Sequence, residues 1–208
     1  MYRFLFALGA GLHVLASASV AWAGDESGDP GERQARAIVT SRCFSCHGQT
    51  GLSTTSQFPK LAGQNAEYLT KQMFNFQSGL RASVVMEEQM AGLSGNEIES
   101  LARYFARQKA VPEPPSGDRE AVRLGARLFR VGKPAQKVPA CASCHGPQAH
   151  GARMLPRLAG QFAPYLERQL HAFVARTRGN DQMTMHDVAS HLTGDEMRAV
   201  AIYLSGLQ

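Results

Sequence analysis

The sequence predicts an all-α protein made of two tandem copies of one helical unit, and three observations lead there. Cys43-Phe44-Ser45-Cys46-His47-Gly48 returns as Cys141-Ala142-Ser143-Cys144-His145-Gly146. Pro59, Leu61, Ala62, Gly63, Gln64, Tyr68, Leu69, Gln72 and Phe76 each recur 97 positions later, in the segments 58–76 and 155–173. Nine identities at one offset mark a duplication. Apolar residues in both copies repeat at helical spacing, with no competing strand alternation.

Taken in order, residues 1–23 read as a secretory signal peptide. Arg3 is followed by the apolar stretch Phe4–Val20 and by Ala21-Trp22-Ala23, so cleavage is expected after Ala23. The alternative is an uncleaved anchor, but the stretch is short for a span and His13 interrupts it. Asp29-Pro30-Gly31-Glu32 offers a cap, a proline at the first helical position and an acidic first turn, opening a helix that runs into Cys43. Asn65 caps a second helix whose apolar face includes Leu69, Met73 and Phe76, with Gly79 as its stop. Ser94-x-x-Glu97 and Thr193-x-x-Glu196 are capping boxes opening the last helix of each copy. Ile98, Leu101, Ala102 and Phe105 then recur at helical spacing, as do Met197, Val200, Ala201 and Leu204. Between the copies, residues 109–118 (KAVPEPPSGD) contain three prolines and read as a stiff, solvated linker. The expected organisation is a leader over 1–23, one domain over 24–110, a linker over 111–117 and a second domain over 118–208.

The 22 Lys and Arg against 17 Asp and Glu give a net charge of +5, or +4 once Arg3 leaves with the leader. These charges are scattered, without a run of five basic residues, so nucleic-acid binding is not expected. Four cysteines in an exported chain would ordinarily suggest two disulfides, but their spacing points elsewhere.

C-x-x-C-H is a haem-c attachment motif. Two cysteines three residues apart place their sulfurs where both can form thioethers with one porphyrin, and the adjacent imidazole then faces its iron. A thioredoxin-like dithiol needs no following histidine and sits on an α/β fold. Zinc half-sites are usually completed within about 20 residues, whereas these pairs lie 98 apart. Two matched motifs in an exported chain therefore predict two covalent haem c groups, on Cys43 and Cys46 and on Cys141 and Cys144, with His47 and His145 on the irons.

A histidine-bound iron leaves one axial position, for which a thioether is the usual partner in electron-transfer cytochromes c. The stretch 178–187 (RGNDQMTMHD) offers Met183, Met185 and His186. Equivalent copies should place the ligand equivalently. Eight residues before Ser94 stands Met86, and eight before Thr193 stands Met185. Met90 and Met183 find no methionine counterpart in this register, and His186 falls opposite Glu87. Met86 and Met185 are the candidate ligands. Met73, Met154 and Met197 read as core or haem-pocket packing; His150, His171 and His191 read as exposed. Arg81 and Arg178 stand at matching places and suit haem propionates or solvent, while Tyr68 and Tyr165 suit the haem surroundings, a domain interface or ordinary burial.

The mature chain resembles the dihaem cytochromes c4 throughout. The resemblance rests on both CxxCHG motifs, the P-K/R-L-A-G-Q-x-x-x-Y-L segments, the R-x-N-D…M-x-M stretch and the capped final helices. It implies two class I cytochrome c domains related by a pseudo-twofold axis, each around one covalent haem c. It places the distal ligands at Met86 and Met185, and it implies that the carbonyls of Pro59 and Pro156 orient His47 and His145. The chain departs from the family in having Gln89 where a second methionine is frequent, and His186 where arginine is usual.

Saturated His/Met irons favour outer-sphere electron transfer over substrate chemistry. The expectation is a periplasmic carrier of single electrons, not an enzyme, with redox proteins as donor and acceptor. The family resemblance supplies a terminal oxidase as acceptor, and peripheral contact with a membrane is compatible with it. The alternatives are the haem subunit of a dehydrogenase, such as a sulfide-oxidising flavocytochrome, and a dihaem peroxidase or thiosulfate dehydrogenase. An enzyme would need one open or displaceable axial ligand.

Overall fold

The first and last helices of each half cross at a glycine, and that crossing frames the half. The protein is described here by a computed structural model covering Met1, residues 29–113 and residues 118–208. Apart from Met1, the leader expected over 1–23 lies outside the described residues, as do residues 114–117 of the linker. The first half runs α1 (Pro30–Ile38), a π-helical turn (Val39–Cys43), α2 (Phe44–His47), α3 (Ala66–Gln77), α4 (Val84–Met90) and α5 (Gly95–Ala106). The second runs α6 (Arg119–Val131), a 3₁₀ turn (Pro134–Gln136), α7 (Ala142–His145), α8 (Ala163–Val174), α9 (Thr184–Ala189) and α10 (Gly194–Ser205). Among the described residues, β-pairing is confined to two isolated bridges, Lys133 with Val138 and Ala152 with Leu155. The all-α expectation holds.

In each half the last helix packs on the first and on the third, α5 on α1 and α3, α10 on α6 and α8. Gly31 faces Ser100 across one crossing, where a Cβ would stand 3.1 Å from its Oγ. Gly125 faces Ala199 across the other, where a Cβ would stand 2.1 Å from the carbonyl oxygen. Ile98, Leu101, Ala102 and Phe105 are buried in the first core with Ala35, Val39, Leu69 and Met73. Val200, Ala201 and Leu204 join Phe129, Leu166 and Tyr203 in the second.

Both capping boxes form as the sequence requires: Ser94 with Glu97 and Thr193 with Glu196 each exchange side-chain and backbone bonds. Two other helix starts are placed correctly but capped differently. Asp29 precedes α1 without a side-chain cap bond. Asn65 precedes α3 likewise, because its amide instead reaches the other half and donates to the carbonyls of His150 (3.1 Å) and Leu155 (2.6 Å). The described part of the linker is exposed or half-exposed, and it is also tied down. Lys60 donates to the Val111 carbonyl at 2.9 Å and pairs with Glu113. The Glu113 N–H bonds the Ser205 carbonyl at 3.2 Å. Met154, read as core or haem-pocket packing, is 59% exposed and so is not part of the protein core.

The halves meet through the repeated residues. Gln64 Oε1 accepts from the Arg157 N–H (2.6 Å) and its Nε2 donates to the Arg157 carbonyl (2.8 Å). Gln161 does the same to Lys60, at 3.0 and 2.9 Å. Lys60 and Arg157 are themselves 97 apart, so the bonds are related by the repeat, as a pseudo-twofold axis demands.

Candidate functional site

Each C-x-x-C-H motif lies on a four-residue helix ended by a glycine of positive φ, Gly48 (φ 74°) and Gly146 (φ 78°). All four cysteines are free thiols, in accord with attachment rather than disulfide formation. Burial pushes the Cys43 and Cys141 thiols up to about 11. Before haem attachment they are therefore neutral thiols rather than thiolates at neutral pH.

His47 and His145 are both buried. His47 Nδ1 donates to the Pro59 carbonyl at 2.9 Å, and His145 Nδ1 to the Pro156 carbonyl at 3.2 Å. A carbonyl only accepts, so each Nδ1 carries the proton and each Nε2 keeps a lone pair for a metal. Burial lowers both imidazoles below their ordinary pKa, with the carbonyl bonds opposing it. A neutral ring with a free Nε2, oriented through Nδ1, is the form iron binds.

The candidate thioethers sit on the short helices before α5 and α10. The Met86 N–H bonds Ser83 Oγ at 3.3 Å, and the Met185 N–H bonds Asp181 Oδ2 at 2.8 Å. A side chain from the preceding turn thus fixes the backbone of each methionine. Met86 packs, partly buried, against the first core. Met183 instead precedes α9 in the left-handed conformation, φ 64°, and its sulfur lies against Gly179, where a Cβ would stand 2.9 Å from it. His186 has both ring nitrogens engaged. Nδ1 donates to the Phe173 carbonyl at 3.0 Å, and Nε2 accepts from Arg176 at 3.2–3.3 Å.

Between the halves lies a crossed polar network. Arg81 donates to Gln72 of its own half (2.7 Å) and to Tyr165 (3.2 Å) and Gln169 (3.0 Å) of the other. Arg178 donates to Gln169 of its own half (2.6 Å) and to Tyr68 (2.8 Å) of the other. Each guanidinium also stacks 4.6 Å over a phenylalanine, Phe76 or Phe173. Burial alone would raise the Tyr68 phenol, but Arg178 and Arg81 more than offset it and hold it below its usual value. Arg178 is only 9% exposed, its Nε has no partner, and among the described residues neither arginine makes an ion pair. The Asp181 carboxylate is close enough to favour the Arg178 charge but does not pair with it, and a buried cation without a paired anion is costly. Buried Arg178 and half-buried Arg81 fit the propionates of a haem in each half. The cysteines, imidazoles and thioethers fit the rest of the same group.

The sequence reading offered a domain interface as one place for Tyr68 and Tyr165, but it missed that Gln64 and Gln72, like Gln161 and Gln169, join them in the contact between halves. The signal was present: three of the repeated identities fall four residues apart, on one side of a helix, and are polar.

The cytochrome c family profile matches residues 122–208. The profile of subunit III of the cbb3-type cytochrome c oxidase matches residues 30–105. Cytochrome c4 of Pseudomonas aeruginosa is 39% identical over 185 residues, covering 87% of this chain and 90% of that protein. A thiosulfate dehydrogenase electron acceptor of Stutzerimonas stutzeri is 38% identical over 169 residues, covering 79% and 78%. The crystal structure of reduced cytochrome c4 from Pseudomonas stutzeri superimposes with a TM-score of 0.80 at 34% identity, covering 87% of this chain and 100% of that one. The chain therefore belongs to the cytochrome c4 family, a helical pair of cytochrome c domains carrying two covalently bound haem c groups.

Proposed function

We propose that the chain is a periplasmic one-electron carrier between respiratory-chain components, delivering electrons toward a terminal oxidase. Cys43 and Cys46 attach one haem and Cys141 and Cys144 the other. His47 with Met86, and His145 with Met185, would hold the two irons, within domains spanning 24–110 and 118–208. When bound, the haems supply reversible one-electron exchange at iron. The protein orients the imidazoles through Pro59 and Pro156, excludes water with the two cores, and neutralises propionate charge with Arg81 and Arg178. Two saturated irons leave no place for a substrate, so the chain is a carrier rather than an enzyme. Export follows from the leader expected over 1–23, and no helix among the described residues is long and apolar enough to cross a membrane.

The observation that carries this reading is the matched pair of imidazoles, each with Nδ1 fixed to a carbonyl and Nε2 free. The optical spectrum of the oxidised protein tests it, with haem counted per chain and the far-red methionine–iron band quantified. Two haems with two bands' worth of intensity, half of it lost in Met185→Ala and none in Met183→Ala, are expected. A native band worth one haem, or a loss in Met183→Ala, overturns the ligand assignment.

A second reading is favoured by the likeness to a thiosulfate dehydrogenase electron acceptor. In it the chain takes electrons directly from a dehydrogenase. Stopped-flow reduction by a thiosulfate dehydrogenase, set against oxidation by membranes containing a terminal oxidase, separates the two roles.

A further inference from the structure

Helix α6 carries Arg119, Arg123, Arg127 and Arg130 and one carboxylate, Glu120. At about 100° per residue the four arginines fall within an arc of roughly 80°. They span roughly 16 Å along the helix. The buried residues of α6 are Gly125, Leu128 and Phe129, on the opposite side, packed on α10. All four arginines are exposed. Among the described residues, Arg119, Arg123 and Arg127 have no side-chain ion-pair or hydrogen-bond partner, and Arg130 stacks 5.7 Å over Tyr203. The corresponding helix of the first half offers no such stripe. On α1, Glu32 pairs with Arg36 at 2.8 Å and with Arg107 at 3.0 Å. Charge divides the same way: residues 29–113 hold 9 basic and 8 acidic side chains, and residues 118–208 hold 12 and 7.

The inner side of α6 meets the second C-x-x-C-H motif. Cys141 Sγ lies 3.7 Å from the carbonyl of Leu128, which follows Arg127 directly and precedes Arg130 by two residues. A haem attached at Cys141 would begin one helix thickness behind the arginines, about 10 Å.

We propose that the outer face of α6 docks an acidic patch of a redox partner protein, which makes the second domain a site of electron exchange. The inference rests on the electron-carrier reading above. An electron partner is favoured over a bilayer because the stripe backs onto a haem-bearing cysteine and offers little apolar surface for insertion beyond Val131. Opposite charge at such a face steers encounter and sets orientation.

The test follows, by stopped flow, the oxidation of the reduced holoprotein by plastocyanin, a copper protein with an acidic face. One electron leaves a ferrous haem, giving ferric haem, and converts Cu(II) to Cu(I). The triple variant Arg119→Gln, Arg123→Gln, Arg127→Gln keeps good helix formers on α6. A control, Arg103→Gln, Arg107→Gln, Lys109→Gln, removes three exposed charges from the first half. The α6 variant should react roughly tenfold more slowly at low ionic strength and match the native protein at high salt, with the control changing less than about twofold. Equal losses in both variants, or none in either, overturn the proposal. So does native binding to vesicles rich in anionic phospholipid that the α6 variant loses while its plastocyanin rate is unchanged. Haem content and the far-red band are recorded for every protein. A native protein lacking them defeats the electron-carrier reading, whereas normal spectra with unchanged rates defeat the docking surface alone.

Discussion

Arg178 reaches across the pseudo-twofold interface to place its Nη2 2.8 Å from the phenolic oxygen of Tyr68. The mirror contact, Arg81 to Tyr165, is 3.2 Å long. The two are related by the repeat but not equal, because Arg178 is buried and depends more on its few partners. A hydrogen bond to a buried charge is worth more than one to a group that water can reach. Tyr68→Phe should therefore cost about 2 kcal/mol and Tyr165→Phe about 1 kcal/mol. Denaturant unfolding of the holoproteins measures both, and equal costs would show that burial of Arg178 does not set the difference.

The crossing of α6 and α10 permits no side chain at position 125. A Cβ there would meet the Ala199 carbonyl oxygen at 2.1 Å and the Tyr203 Cβ at 2.7 Å. Two backbones are in contact, so no rotamer change relieves the clash and the helices must part. Gly125→Ala should destabilise the second half by about 3 kcal/mol, a fall in Tm of roughly 15 °C for a unit of this size. Gly31→Ala, which meets side-chain atoms alone, the Ser100 hydroxyl at 3.1 Å and the Asp29 carboxylate at 3.3 Å, should cost clearly less. Calorimetry on the two variants checks the contrast.

Gln64 and Gln161 each satisfy a main-chain N–H and carbonyl of the opposite half. Leucine at either position leaves those groups unpaired in the contact, at about 2 kcal/mol. The loss falls on the coupling between halves rather than on either core. Gln64→Leu should therefore split one unfolding transition into two, with the core of each half still cooperative. A single transition shifted as a whole would mean that the coupling lies elsewhere.

What could be read in the sequence and what could not divide along physical lines. The final helices were legible because Ser94–Glu97 and Thr193–Glu196 are local devices, complete within four residues, and because twelve-residue helices show their period. The C-x-x-C-H motifs were legible for the same reason. Helices α4 and α9, of seven and six residues, are too short for periodicity to register, yet they carry Met86 and Met185; only the repeat register pointed to those residues. Asn65 looked like a cap but serves the other half, and Arg81 and Arg178, which suited haem propionates or solvent, also bond across the halves. Each depends on a neighbour remote in sequence, which a local pattern does not contain.

Glu196 joins three parts of the second half. Its Oε2 accepts from the Thr193 N–H at 2.9 Å and from Lys133 Nζ at 2.8 Å, and Lys133 also reaches the His191 carbonyl at 3.3 Å. Burial by itself would raise the Glu196 carboxyl, but the Lys133 bond, the cap N–H and the nearby ammonium charge together hold it below its usual value. A carboxylate whose folded pKa is depressed stabilises the fold above its unfolded value, about 4.3. That contribution is lost as pH falls through the lowered folded pKa. Lys133→Met removes the main partner, so it should cost about 1 kcal/mol at neutral pH and less as the solution is acidified. The Tm of Lys133→Met and of native protein should converge below pH of about 4. A gap that persists unchanged in acid would assign the effect of Lys133 to packing of its alkyl chain rather than to its charge.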